Sequence, residues 1–549
     1  MNNIVAERLI YSELYARQEQ IVRVFHGRNQ LAIFEICRAL DAVFTGASRS
    51  LVTEYEGYYI RCGVPEALAP FLNPENAQRA GYQWRQFEPD KAAMVRTYLV
   101  DCGRLIDLLR LVKLEIYGLA NVNVSGRFVE VEVRSDSPER VAMDARRIVS
   151  APERKSLPPF PNEKIWKCAI EFLKGGEFGS AYFELDTGVR DHYLDIAMSR
   201  RAMFPEAEAL PDQCMLGGRA FQDWRAECER ANARVLRHID FSKVALSEGI
   251  AENALNILTP IQSRSSVERM LVAEGTPPEF VKSTVRALTT QAEDVAGYSD
   301  IFEPPSTPYI SLGKDFLVAP CYGMIGNPYF SMFRHLRAKY RADWDRAVAG
   351  REVMFRADIA KLFGSRRFVV PSGGFKIKRT NGTHVTDIDA IVFDQETGSL
   401  ALMQLKWHDP YGRSIVERES RRKNLAKAQE WVGRVQEWVE SVGPENLCCA
   451  LGLPSIVAPA RPLVYVVSRY ASQFVADSRT EHKSTWLSWP ELQYCLRGSD
   501  FDPLLEISDL IERQRVRKTK TVRNTQEYVF SSFQAIVHAD VCVNDGEHD

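Results

Sequence analysis

Apolar residues recur at three- and four-residue spacing in Ile33, Ile36, Leu40 and Val43, and again from Met94 to Tyr117, so the chain is expected to open with helices. One strand interrupts them: in Arg127–Arg134, RFVEVEVR, Val129, Val131 and Val133 alternate with Glu130, Glu132 and Arg134, the period of a half-buried strand. Helical spacing returns over Lys164–Leu173, Arg219–His238 and Pro278–Glu293. Two proline-rich stretches, SAPERKSLPPFPNE and FEPPSTP, are expected to act as joints. They divide this portion into a mainly helical domain over 1–150, a second over 163–301, and a helical connector over 309–344.

From about residue 345 the pattern changes. After a helix in GREVMFRADIAKLFG, strands are expected near Phe368–Pro371 and Gly374–Arg379, then a hairpin, VTDIDAIVFDQETGSLALMQLKW, from Val385 to Trp407. A long helix from Ser414 carries Ala428, Trp431, Val432, Val435, Trp438, Val439 and Val442 as one apolar stripe, which assigns its tryptophans to a core. The apolar run Leu463–Val467 suits a buried strand, and Ser488-Trp489-Pro490-Glu491 has the spacing of a capping box at a last helix. The predicted class is multi-domain α+β: mainly α-helical N-terminal regions, then an α/β domain over 345–500 with a mixed sheet flanked by helices. Residues 501–549 are expected to form a basic C-terminal extension.

Composition narrows the function classes. With 549 residues, 45% hydrophobic and 26% charged, the chain can bury several cores. No apolar run is long enough to span a bilayer, and the N-terminal segment lacks the apolar centre of a secretory signal, so no membrane partner and a cytoplasmic location are expected. Eleven cysteines without a CxxC pair fit a reducing compartment, and nine histidines without HxxxH or HExxH spacing argue against zinc. Lysine plus arginine number 70 against 72 acids, so overall charge says nothing for a nucleic-acid partner.

The hairpin holds the candidate chemistry. If Gln395-Glu396-Thr397-Gly398 is a four-residue loop with Gly398 at positive φ, Asp394 pairs with Ser399, Asp389 faces Gln404 and Asp387 faces Lys406. Four polar groups then meet at one end of an apolar hairpin, where burial requires that they be paired or bound to a metal. Two readings stand: an internal Asp–Lys ion pair, or a divalent cation held by oxygen ligands with the lysine beside a reacting phosphate.

Asp389, followed by Ala390-Ile391-Val392, a turn and Met403-Gln404-Leu405-Lys406, resembles the PD-(D/E)xK nuclease superfamily in its QxK variant, as in Mrr-type restriction endonucleases. The nominal proline is absent, with Thr386 and Ile388 flanking Asp387. The resemblance covers about 345–500 and implies a restriction-endonuclease-like fold and a Mg²⁺- or Mn²⁺-dependent endonuclease. It makes Asp389 the principal metal ligand, gives Gln404 a metal-facing carbonyl, and sets Lys406 beside the attacking water and scissile phosphate. Glu352, about 37 residues upstream of Asp389, becomes an outer ligand, and Asp387 a supporting acid. The implied substrate is DNA, with RNA as the alternative, and the implied setting is restriction or antiphage defence. A homodimer or a partner protein would act through the N-terminal regions. The rival class is a nucleic-acid-binding or assembly protein that keeps the fold without turnover.

Basic groups follow the QxK strand. Arg413, Arg418, Arg421, Arg422, Lys423 and Lys427 stand against Glu417 and Glu419, an excess of about four positive charges suited to phosphate contact or to a solvated helix face. A second run from Arg513 to Arg523 allows the same two readings.

Overall fold

Val129 and Val131 are buried on one face of the Phe128–Val133 strand, which pairs antiparallel with Ala120–Ser125 and parallel with Gln534–Val543. In this computed structural model, the far end of the chain thus completes a sheet begun near its start. The structure describes residues 2–44, 54–72, 86–133, 163–174, 187–295, 307–322, 327–379, 381–409, 415–454, 461–470, 484–498, 501–516 and 520–543. It is a multi-domain α+β fold in which helical N-terminal stretches precede a mixed sheet flanked by helices.

The N-terminal part packs helices Asn2–Phe25, Asn29–Phe44, Glu54–Leu68 and Pro89–Lys113 against a four-stranded sheet. Its strand order is Ala120–Ser125, Phe128–Val133, Gln534–Val543, Lys520–Val529. This corrects the expectation of a basic extension over 501–549. Leu504, Ile507 and Ile511 of helix Pro503–Val516 are buried in the preceding domain, and Tyr528, Phe530, Phe533, Ala535 and Val537 are buried in the N-terminal core. The density of basic residues masked these apolar positions. Glu13 binds the turn of the terminal hairpin, accepting from the Ser531 and Ser532 hydroxyls at 2.8 and 2.6 Å.

The middle part is built around helix Phe221–Ser247. Its core runs past FEPPSTP without interruption: Tyr309, Leu317, Tyr329, Phe333 and Trp344 share one cluster with Trp224, Val267 and Val285. The stretch 309–344 is therefore no helical connector. It begins with strands Tyr309–Ser311 and Phe316–Val318, which join Thr289–Thr290 and Ile261–Ser263 in a four-stranded sheet.

The third part is a five-stranded mixed sheet in the order Thr485–Ser488, Arg461–Ser468, Ser399–Lys406, Ala390–Asp394, Phe368–Val369. Both of its faces are covered, which explains why Ala390–Asp394 is buried along its whole length. Ile391, Phe393, Leu400, Leu402, Val464 and Val466 face helix Ile415–Val442 through Trp431, Val435 and Trp438. Ala390, Val392, Ala401, Met403, Tyr465 and Val467 face helices Arg351–Leu362, Trp489–Arg497 and Pro503–Val516. Both tryptophans of the long helix are core, as their spacing predicts. The capping box at Ser488 and Glu491 is formed in both directions.

Candidate active site

Phe393 pairs with Leu400 and Ala390 with Met403, the register predicted from the loop, and Gly398 takes the positive φ (76°) that closes it. The Asp394 carboxylate, fully buried, fixes the turn. It accepts from Arg367 Nε at 2.9 Å, from the Glu396 N–H at 3.0 Å and from the Thr397 hydroxyl at 2.9 Å.

Asp389 lies at the bend where the strand leaves this sheet. Its backbone N–H donates to the Met403 carbonyl at 3.0 Å, and its Oδ2 accepts the Leu405 N–H at 2.7 Å and the Gln404 Nε2 at 3.4 Å. Gln404 and Lys406 follow Leu400 and Leu402 in alternation, and Asp389 precedes Ile391 and Phe393, so all three predicted positions belong to the sheet face that carries helix Ile415–Val442. Burial pushes the Asp389 carboxyl up. The Leu405 N–H opposes that shift, the nearby Glu352 carboxylate adds to it, and Lys406 and Gln404 oppose it. Burial also pulls the Lys406 amine down, against the attraction of Asp389 and Glu352, with Lys427 adding to the depression. Glu352, Asp389, Gln404 and Lys406 therefore share one electrostatic site, although Glu352 comes from a helix packed on the opposite face.

Asp387 does not join them, contrary to the expected pairing with Lys406. Beyond the bend, His384–Ile388 leaves the sheet and pairs with Phe375–Lys378, placing Asp387 opposite Lys376. Its carboxylate binds His384 Nε2 at 2.8 Å. Counting residues through Asp389 assumes one continuous strand; the bend breaks that count.

Arg356 carries no motif in the sequence, yet it joins the site's two acidic positions. Its Nη2 donates to Glu352 Oε1 at 2.8 Å and its Nε to the Asp389 carbonyl. The available signal is the four-residue spacing from Glu352 to Arg356 on one helix. A Cβ at Gly374 would lie 3.1 Å from Arg356 Nη2 and 3.2 Å from the Ile388 carbonyl, so a side chain there would press on this clamp.

Lys406 is held from behind. Its carbonyl accepts the Arg469 N–H at 2.7 Å and the Ser468 hydroxyl at 3.3 Å. The Arg469 guanidinium binds Asp358 at 2.7 Å among the rings of Phe355, Trp407 and Trp489, and reaches Glu208 of the middle part at 3.4 Å. The middle part thus touches the strand that follows the candidate lysine.

Of the predicted phosphate contacts, Arg413 lies outside the described residues. Arg418, Arg421 and Arg422 stand on helix Ile415–Val442, with side chains outside the described residues; Lys423 is exposed. In the second basic run Arg523 pairs with Glu132 at 2.8 Å.

Among the described residues no three His, Cys, Asp or Glu side chains cluster as a metal site. The candidate set is one buried carboxylate, one amide and the Arg356-bound Glu352. These are hard oxygen donors of the kind Mg²⁺ takes while keeping several waters. The Gln404 amide presents nitrogen to Asp389; a half-turn of the amide presents its oxygen instead. The donor chemistry fits a weakly held divalent cation. Among the described residues no helix is long and apolar enough to cross a membrane, and no cysteine is in a disulfide.

Comparison with protein-family models, curated proteins and solved structures yields no match for this chain.

Proposed function

We propose that the domain over 345–500 is a metal-dependent endonuclease that hydrolyses DNA phosphodiester bonds, a QxK relative of the PD-(D/E)xK nucleases. The observation that supports this reading is geometric: Gln404 donates to the Asp389 carboxylate, Lys406 follows two residues on along the same strand, and Arg356 joins the Asp389 carbonyl to Glu352 from the other side of the sheet. A structural ion pair needs only Asp389 and Lys406. Glu352, which Arg356 pairs at 2.8 Å, adds an oxygen donor that such a pair does not need.

A bound Mg²⁺ or Mn²⁺ would supply Lewis-acid polarisation of the phosphate and lower the pKa of a bound water. Asp389 and Gln404 would hold it, with Glu352 as outer ligand. Asp389 is fixed for this role, because the Leu405 N–H takes one carboxylate oxygen and sets the orientation of the other. Lys406, anchored through its own carbonyl, donates to a non-bridging phosphate oxygen and stabilises the charge that develops there. Gln404 adds an oxygen without a formal charge, so metal affinity is lower than for an acidic residue in its place. Arg356 restrains Glu352 and the Asp389 backbone together.

The middle and N-terminal parts would recognise substrate, a partner or an activating signal, in keeping with restriction or antiphage defence in the cytoplasm. The test is cleavage of linear, circular and single-stranded DNA and of RNA by the full chain with Mg²⁺, Mn²⁺ or EDTA. The reading expects metal-dependent cutting of DNA. Metal-independent cutting, or cutting of RNA alone, would overturn its metal or its substrate respectively.

A further inference from the structure

The segment that leaves the sheet at Asp389 forms a separate two-stranded ribbon, Phe375–Lys378 against His384–Ile388. Its inner side is fixed. Ile377 and Ile388 are buried against helix Ile415–Val442, the Trp431 indole donates to the Asp387 carbonyl, and the Trp438 indole donates to the Lys378 carbonyl at 3.0 Å. Pairing of Lys376 with Asp387 and, past a bulge, of Lys378 with His384 sets these four residues on the opposite, exposed face; Arg379, also exposed, follows at the strand end, where its N–H donates to the Thr383 carbonyl at 2.9 Å.

Asp387, the one acid of this face among the described residues, is bound to His384 at 2.8 Å, and the charged ends of Lys376, Lys378 and Arg379 have no carboxylate within ion-pair distance among the described residues. Elsewhere, arginines beside the site are matched to acids: Arg356 to Glu352, Arg367 to Asp394, Arg469 to Asp358. Lys376 and Lys378 are spaced about 7 Å apart along the strand. A two-stranded ribbon is narrow enough to follow a duplex groove. The base of the ribbon also rests on the site, since Gly374 approaches the Arg356 guanidinium that holds Glu352 and Asp389.

We propose that this ribbon is a duplex nucleic-acid clamp, with Lys376, Lys378 and Arg379 on phosphates flanking the bond presented to Asp389 and Lys406. The position of that bond rests on the nuclease reading; the binding itself does not. Lysines on a short exposed ribbon also discourage edge-to-edge pairing, and salt dependence separates the two roles, because only phosphate contact releases counterions.

The test is equilibrium binding of a labelled DNA duplex to the full chain in EDTA across a salt series. Wild type, Asp389→Ala and the triple variant Lys376→Ala/Lys378→Ala/Arg379→Ala are compared, with duplex RNA and single-stranded DNA as further arms. All three substituted residues are exposed, and matched thermal melting confirms that the triple variant folds. The expected result is a salt slope lower by roughly 2 to 3 in the triple variant, about 0.9 for each phosphate no longer neutralised, and duplex affinity at least about tenfold weaker at 0.1 M salt. An unchanged slope, no duplex binding by wild type, or binding of single strands alone would overturn the proposal. If wild type and Asp389→Ala bind alike and neither cleaves with metal present, the nuclease reading fails and the clamp stands or falls on its slope.

Discussion

Asp389 Oδ2 accepts the Leu405 N–H at 2.7 Å, so a side chain on one strand of the central hairpin completes the hydrogen bonding of the other. Gln404 donates to the same oxygen at 3.4 Å, and the carboxylate is held in a place where burial disfavours its charge and Lys406 favours it.

A pH dependence follows from that burial. The folded-state pKa of Asp389 lies above its unfolded value, so its contribution to stability is full at acidic pH and declines as pH rises through the folded pKa. Metal-free wild type is expected to lose stability relative to Asp389→Asn from acidic to neutral pH. Urea denaturation at several pH values in EDTA measures this; equal slopes in the two proteins would contradict the assignment.

The Lys406 amine, depressed by burial, discharges at lower pH than an ordinary lysine. The cleavage rate at saturating metal should therefore fall on the alkaline side, and Lys406→Arg, if active, should move that limb upward. A pH–rate profile of the two proteins provides the check, and coincident alkaline limbs would assign the titration to another group.

Arg356→Ala frees the Glu352 carboxylate and the Asp389 carbonyl together. The expected effect is on the order of a tenfold higher metal requirement, with a smaller effect at saturating metal, and about 2 kcal/mol of lost stability. Arg356→Lys should recover part of the former. Cleavage as a function of Mg²⁺ concentration separates this positioning role from a general loss of folding.

How much of the structure is legible in the sequence depends on whether a feature is local. The register of Ala390–Asp394 on Ser399–Lys406 follows from one glycine and a four-residue loop, and the stripe at Trp431, Val435 and Trp438 follows from helical spacing. The strand Thr485–Ser488 has only four residues, and Ala120–Ser125, as long as the strand it pairs with, offers two valines among Asn121, Asn123 and Ser125, residue types that read as loop. The parallel pairing of Gln534 with Phe128 joins residues some 400 positions apart, and no periodicity reports such a contact. Within the site, Asp389, Gln404 and Lys406 are readable because they are counted along one hairpin. The departure of Asp387 depends on a bend at Asp389, and the role of Arg356 on how its helix packs; neither leaves a mark in spacing.

The turn that sets the register carries its own prediction. Arg367 holds the buried Asp394 carboxyl below the ordinary range against the penalty of burial. That stability is present above the unfolded pKa and lost as pH falls through the folded pKa. Arg367→Met should cost about 3 kcal/mol near neutrality, because it leaves the carboxylate buried without its cation. Chemical denaturation at neutral and acidic pH should show the deficit shrinking in acid.

Another buried carboxylate links the N-terminal and middle parts. Asp41 accepts from the Thr259 hydroxyl at 2.7 Å and from the Tyr322 N–H at 2.9 Å, and burial pushes its carboxyl up to about 7. Its contribution is present under acidic conditions and lost as pH rises through about 7, so this contact should loosen on the alkaline side. Hydrogen exchange of helix Asn29–Phe44 at pH values about one unit either side of that midpoint, with Asp41→Asn as the pH-insensitive control, measures it.

The central claim is that Asp389 and Lys406 act together in metal-dependent phosphodiester hydrolysis. Single-turnover cleavage of a DNA duplex by wild type, Asp389→Ala and Lys406→Ala, each with Mg²⁺ and with EDTA, addresses it most directly. The predicted result is cleavage by wild type in Mg²⁺ alone, reduced on the order of 10²- to 10³-fold or more in each variant. Equal cleavage by all three proteins, or wild-type cleavage undiminished in EDTA, would contradict it.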